Sequence, residues 1–472
     1  MLAVAVSDSA QNSANGSFAI TIAAPLQITT TSLPNGSPGI SYGATLAASG
    51  GFSPYTWSIT QGSLPAGLIL NASSGLISGT PTVSGPSNFT VQVTDNGAPA
   101  LSVTANLVIT ITPAPARSAA LYVADGNAYQ IASNGSLSYL PSSPEQAFMG
   151  PNDTIGSPVI GISPTLPLLF ILHFTGTPPN ESPALASLLV NPDYSLSIYS
   201  TSAPLPGTNC SYAVAPSVDP TSSNVYLPGC VDNNNDPGVL IYPADGQLPL
   251  LGMVAVPGGE QNLPGLSKMV FTPDATHAFI ASCPGGNGSI LSYSRAQNGE
   301  LTLASTYNLP AGSCAAALSI SPDGTYLAEG ELLTSVVQVF SIASDGSLTP
   351  ASQRLVVNFN LQGTPVYVSD LTWGPPGTEL ILATNSTEPN LMYGGMAVLS
   401  YSVYLVEEVY PLGGSIETLA SDGSFYYSQS ECQRTTCGGV VGFDFQDGQL
   451  SPLPGSPYPI NTDNTDYGVV VY

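Results

Sequence analysis

The chain has 472 residues, with 48 Gly, 44 Pro and only 7% Asp, Glu, Lys or Arg, against roughly 25% charged residues in a typical soluble domain. Thirty acidic residues face five basic ones, Arg117, Lys268, Arg295, Arg354 and Arg434, for a net charge of −25. Without a Lys/Arg cluster to neutralise phosphates, no nucleic-acid partner is expected and phosphorylated metabolites are disfavoured; no apolar run reaches the roughly 18 residues of a membrane span.

The Gly and Pro content predicts an all-β, turn-rich chain, and its length predicts more than one core. Residues 4–25, VAVSDSAQNSANGSFAITIAAP, line up with 91–113, VQVTDNGAPALSVTANLVITITP, which marks off 1–24 from the domain that follows. They read as the last two strands of a truncated Ig-like repeat, or a linking hairpin. The chain then begins inside a domain, as expected of a piece of a longer exported protein. An orphan hairpin has free edges, so residues 1–24 are also a candidate for self-association or for pairing with other surface proteins.

Residues 25–113 alternate clearly in FTVQVTD and NLVITIT, with turn signals every ten or so residues, which predicts a seven-strand sandwich. Trp57 is expected between the sheets. The phrases GGFSPYTWSI, GSLPAGLIL, SGLISGTPT and FTVQVTD resemble the putative-Ig, cadherin-like family of bacterial surface proteins. The resemblance implies a spacer or adhesive module on an exported protein.

After a linker at 114–117, residues 118–472 repeat one phrase: strand, Pro/Gly turn, strand, loop, strand, Asn-Gly or Asp-Gly turn, strand. The first turns, SPTL at 163, DPTS at 219, TPDA at 272, SPDG at 321, GPPG at 374 and SDG within 420–423, recur at about 50 residues, the length of a four-stranded propeller blade. The second turns carry Asn134-Gly135, Asp245-Gly246, Asn298-Gly299, Asp345-Gly346 and Asp447-Gly448, read as tight type I′ hairpins. The first blade lacks its own first strand, and DYGVVVY at 466–472 has no partner. The prediction is a seven-bladed β-propeller closed by the C-terminal strand. The wording SPDGxYL followed by VxVFSIxxDGSLT resembles the lactonase-like seven-bladed propellers, a family of both enzymes and exported surface-repeat proteins. Its enzymes use Arg, His and Glu at a central site, and no motif here maps onto those residues.

Six cysteines are expected to pair as Cys210–Cys230, Cys283–Cys314 and Cys432–Cys437, all on one rim, in an oxidising compartment. The same rim carries the long loops at 175–184, 231–238 and 385–395. Asp232, Asn234, Asp236, His173 and Glu388 form its candidate binding surface. Asp232, Asn234 and Asp236 alternate like Ca²⁺ donors, but the Gly and closing Glu of such a loop are missing, so no metal is expected. His277 sits in a first turn on the opposite rim from His173. No nucleophile elbow, HExxH or phosphate loop occurs, and no cofactor is expected. The main expectation is a non-enzymatic extracellular or cell-surface protein, structural or adhesive, the repeating subunit of a filament or surface layer. The alternative is a propeller that binds a ligand, or hydrolyses a lactone or glycan, at its central channel.

Overall fold

The computed structural model describes residues 2–7, 9, 13–18, 24–36, 42–111, 120–123, 128–140, 154–175, 182–202, 214–231, 237–257, 266–331, 336–356, 366–374, 377, 379–386, 394–400, 405–412, 420–421, 425–429, 439–446, 449–459 and 469–471. The chain divides into two compact units, Met1–Pro113 and Ala114–Tyr472. Among the described residues it is all strand and turn; the one helical element is a three-residue 3-10 turn at Pro284–Gly286.

In the first unit, Leu2–Ser7 pairs antiparallel with Ser13–Phe18. The sandwich that follows has one sheet of Ser102–Ile111, Gly85–Thr94 and Thr56–Gly62, and another of Tyr42–Thr45, Leu76–Gly79 and Leu68–Leu70. A short third pair joins Gln27–Ile28 to Ala48–Ser49. Eight strands are therefore described where seven were expected. The extra one arises because 42–49 changes partner at Leu46-Ala47: Leu46 N–H still donates to Gly75 O, in register with Thr45↔Leu76, whereas Ala47 O accepts from Thr29 N–H and Ala48–Ser49 pairs with Gln27–Ile28. The period-2 pattern places Phe89, Val91 and Val93 inward against Trp57, Ile77, Leu107, Ile109 and Ile111. Trp57 is buried in that core.

The second unit contains seven antiparallel sheets of four or five strands among the described residues. The first sheet is Ala120–Val123, Ala128–Ile131 and Leu137–Tyr139, with Val469–Val471 paired to its open side in the register Leu121↔Val471 and Val123↔Val469. The remaining sheets begin at Thr154–Ile162, Ser217–Val218, Val270–Phe271, Ala315–Ile320, Val366–Trp373 and Ala420–Ser421, each followed by its next three strands in chain order. First strands touch first strands: Ala315–Ile320 contacts both Val270–Phe271 and Val366–Trp373, and Val469–Val471 contacts both Thr154–Ile162 and Ala420–Ser421. The first strands thus face the axis and the fourth strands lie outermost.

Apolar clusters glue neighbouring sheets face to face. Phe279 and Ile290 of the fourth sheet pack on Leu318, Leu327 and Phe340 of the fifth, and Leu121 and Tyr129 of the first pack on Tyr427 and Val440 of the seventh. Tyrosine hydroxyls add hydrogen bonds across the same seams. Tyr122 donates to Tyr194 O at 2.8 Å, Tyr226 to Gly299 O at 2.9 Å and Tyr427 to Gly135 O at 2.8 Å. Each acceptor is the left-handed residue of a neighbour's second turn.

Those second turns differ from the type I′ expectation. At 132–136, Gly135 N–H donates to Ala132 O and Ala132 N–H to Ser136 O; only Gly135 has positive φ, and Asn134 does not. The same frame recurs at 296–300 and 343–347. These are type I turns closed by a left-handed residue in a G1 bulge. Asn134, Asn298 and Asp345 serve as acceptors for the N–H two residues on, at 3.1, 3.2 and 2.9 Å, so these positions need a short polar side chain and no positive φ. A further turn of this type, at 191–195, carries Tyr194 (φ 63°) where the others carry Gly. The Asn-Gly signal therefore could not find it.

Candidate functional site

Beside the fifth sheet, a rim and the axis meet. Cys283 directly follows the second strand of the fourth sheet, Cys314 directly precedes the first strand of the fifth, and the two form a disulfide with Cα atoms 5.4 Å apart. Cys230 is also disulfide-bonded. Cys210, Cys432, Cys437, Asp232, Asn234, Asp236 and Glu388 lie outside the described residues, as does the side chain of His173. The His173 backbone sits near the end of Leu168–Thr175, opposite Ile155 and Ala184. His277 opens His277–Ser282, the strand that runs to Cys283, so it stands at the opposite rim; its Nδ1 lies 2.9 Å from Thr276 Oγ1. The two histidines occupy opposite ends of their strands and do not come together.

Behind the disulfide lies a buried polar cluster. Glu329 and Glu331 alternate with Ala328 and Gly330 on Tyr326–Glu331. A Cβ on Gly330 would strike Val368, so Gly330 faces the sixth sheet and the two glutamates face the fourth. Arg354 makes an ion pair with Glu331 and donates to Ser313 Oγ at 2.8 Å. Glu329 is fully buried, and neither of its oxygens has a hydrogen-bond partner. Burial, then the negative charge of Glu331, pushes its carboxyl well above the ordinary carboxylate range, with Arg354 pulling weakly the other way. Glu329 therefore holds its proton to higher pH than an ordinary carboxyl does.

The axis carries a second charged group. Lys268 precedes the first strand of the fourth sheet, and its Nζ lies 3.0 and 3.1 Å from the two carboxylate oxygens of Asp370, in the first strand of the sixth. The pair spans the inner strand of the fifth sheet, whose Ala315, Ala316 and Ala317 put nothing bulky between the partners. Local structure holds both ends. Ser267 Oγ donates to Lys268 O and accepts from Ala281 N–H, each at 2.9 Å. A register shift between Val368 and Asp370 turns the carboxylate, whose Oδ1 also accepts from Leu371 N–H at 2.9 Å. The Asp370 side chain is 7% exposed and that of Lys268 38%, so the ammonium is reachable from solvent. Such a pair can polarise a carbonyl with one member and take a proton with the other.

The third described cation, Arg295, sits elsewhere. It pairs with Asp219 at 2.9 Å and donates to Tyr226 Oη and Asn224 Oδ1 at 2.9 and 3.2 Å, buried beside the first turn of the third sheet. It ties the third sheet to the fourth at the His277 rim. Sequence reasoning passed over Lys268 and Asp370 because they are 102 residues apart. The available signal was a lone charge in each of two apolar stretches, SKMVF just before one inner strand and VYVSDLTW within another.

Comparison with known proteins bears on both units. Residues 24–112 match the family model of the putative Ig domain, and residues 258–365 match that of the lactonase 7-bladed beta-propeller. Solved structures with similar folds include the periplasmic gluconolactonase of Pseudomonas aeruginosa, at 17% identity and TM-score 0.55, over 71% of this chain and 94% of that one. A protein from Lactobacillus plantarum matches at 14% identity and TM-score 0.54, over 75% and 98%. A putative 6-phosphogluconolactonase from Bacteroides fragilis matches at 14% and 0.52, over 71% and 93%. A comparison with curated proteins finds no match. The chain is thus a putative-Ig domain followed by a lactonase-like β-propeller.

These likenesses overturn the expectation of a non-enzymatic filament or surface-layer subunit, and they favour the lactonase alternative. That expectation rested on the truncated sandwich repeat, the charge-poor polar surface and the missing catalytic motifs. A propeller assembles its axial groups from separate blades, as Lys268 and Asp370 show, and such a site leaves no local motif.

Proposed function

We propose that the propeller hydrolyses a lactone in its central channel, with Lys268 and Asp370 as the reacting groups. The observation that carries this reading is the solvent-reachable ion pair joining the inner strands of the fourth and sixth sheets. A lactone carbonyl oxygen takes the place of one carboxylate oxygen at the Lys268 ammonium, which polarises it. Asp370 accepts a proton from the attacking water. The new bond joins the water oxygen to the carbonyl carbon, the ring C–O bond breaks, and the leaving alkoxide takes a proton from Lys268. The product is a hydroxy acid, and proton return from Asp370 restores the pair.

The lactonase family model over 258–365 covers Lys268 and supports the reaction class. The pairing of Val469–Val471 with Ala120–Val123 supports a seven-bladed ring closed by the C-terminal strand. The Cys283–Cys314 disulfide supports export to an oxidising compartment.

The test is hydrolysis of gluconolactone, followed by acid release. Lys268→Ala and Asp370→Asn are expected to lower kcat/KM by roughly 100-fold or more, the range of a lost acid–base group, with an unchanged far-UV spectrum. Asp370→Asn keeps the side-chain shape and guards against a folding artefact. A wild-type protein that does not exceed the spontaneous rate, or full activity in both variants, overturns the reading.

A further inference from the structure

We infer that the channel selects lactones that carry no phosphate or other anionic substituent. This inference rests on the lactone-hydrolase reading above and deepens it by naming the substrate class. It bears on a choice that the fold leaves open, since gluconolactonases and putative 6-phosphogluconolactonases share it.

A phosphate dianion is held by clustered Arg and Lys, by backbone N–H groups at a helix N-terminus, or by both. The whole chain has five cations against thirty acids. Each of the three described cations already faces a carboxylate: Lys268 faces Asp370, Arg295 faces Asp219 and Arg354 faces Glu331. No two of them share a carboxylate partner, and no α-helix offers an N-terminus among the described residues. Arg117 falls in the segment before the first blade and Arg434 between Cys432 and Cys437; both lie outside the described residues. A phosphate entering the channel would meet one ammonium whose charge is already balanced by Asp370, within a molecule of net charge −25. That field repels an anion at long range and is screened beyond about 8–10 Å at physiological ionic strength.

A neutral polyhydroxy lactone meets a better match. Ser319, Tyr367 and Ser369 place half-buried hydroxyl-bearing residues on the inner strands of the fifth and sixth sheets, the two strands that flank or carry Asp370. Hydroxyls both donate and accept, as the hydroxyl groups of a sugar-like ring require.

The test compares kcat/KM for gluconolactone and 6-phosphogluconolactone at low and high salt, and measures binding of the ring-opened gluconate and 6-phosphogluconate by calorimetry. The expected result is a preference of roughly 100-fold or more for the unphosphorylated lactone. The phosphorylated lactone should improve as salt screens the repulsion, while the neutral one stays unchanged. Ala316→Arg, which places a cation on the inner strand between Lys268 and Asp370, should narrow the gap by roughly tenfold. Equal or better turnover of the phosphorylated lactone, or tighter binding of 6-phosphogluconate than of gluconate, overturns the inference even where the lactone-hydrolase reading stands. Turnover of neither lactone with tighter binding of gluconate overturns the hydrolase reading and keeps the charge selection. Turnover and binding of none overturns both.

Discussion

Glu329 shows what a single residue does to this molecule's response to pH. In the folded chain its carboxyl is buried and without a hydrogen-bond partner, and its pKa is raised; in the unfolded chain it titrates at the ordinary value of 4.5. Its folded pKa is raised, so between 4.5 and the folded value the native state holds a proton that the unfolded state has released. Stability therefore falls as pH rises through that window. Asp274 and Asp323 work in the opposite sense. Side-chain hydrogen bonds from Thr272 and Ser321 lead the causes that lower their pKa values, so their contribution is present above the ordinary value of 3.8 and lost as pH falls through the folded one. Glu329→Gln should remove the fall that Glu329 causes: relative to wild type it should gain stability as pH rises above about 4.5, until the folded carboxyl ionises. Urea midpoints across that range read the effect, and a pH-independent difference between the two proteins would refute it. None of this is legible in TYLAEGE, where Glu329 and Glu331 are spaced like any pair on one face of a strand. What makes the difference is which face the fourth sheet covers.

At the scale of the turn, local chemistry was readable and its geometry was not. Asn-Gly and Asp-Gly mark the second turns because Gly supplies the positive φ and Asn or Asp captures an N–H, and both requirements are visible in two letters. The G1-bulge geometry was missed because the same dipeptides also suit a type I′ turn, and the strand register that distinguishes them is a property of the pairing. The turns have a second role that the letters do not announce, since their left-handed residues meet the neighbouring sheet. At Gly299 (φ +88°) an added Cβ would sit 2.1 Å from Asn224 Oδ1, the atom that accepts from Arg295. At Gly312 (φ +83°) an added Cβ meets open space. Both Gly→Ala changes incur the left-handed penalty of about 1–2 kcal/mol. Gly299→Ala should lose clearly more, because it also displaces the group that positions a buried guanidinium. Equal losses for the two variants in chemical denaturation would show that the contact between sheets adds nothing.

At the scale of the whole molecule, the repeat announced sheets of four strands, and the count left a strand without a partner at each end of 118–472. That deficit was legible because an unpaired edge is unfavourable wherever it occurs in a sheet protein. The candidate pair was not legible, because Lys268 and Asp370 meet only once three consecutive sheets stand around the axis. On the proposed reading, a closed ring would join stability to function. The strand Val469–Val471 fills the inner place of the first sheet, touches the inner strands on both sides, and stands beside the contact between the seventh and first sheets made by Leu121, Tyr129, Tyr427 and Val440. Removing 465–472 takes away the inner strand of one sheet and exposes that apolar seam, so the loss should spread beyond the terminus. The expected outcome is a propeller that no longer unfolds cooperatively and has lost gluconolactone hydrolysis, although Lys268, Asp370 and every residue between them are intact. Supplying 465–472 as a separate peptide should restore both properties together, since the pairing is antiparallel backbone bonding that needs no covalent link. A truncated chain that melts like the full one shows that the terminal strand is dispensable, and the ring would then have to be held by the packing of the sheets alone.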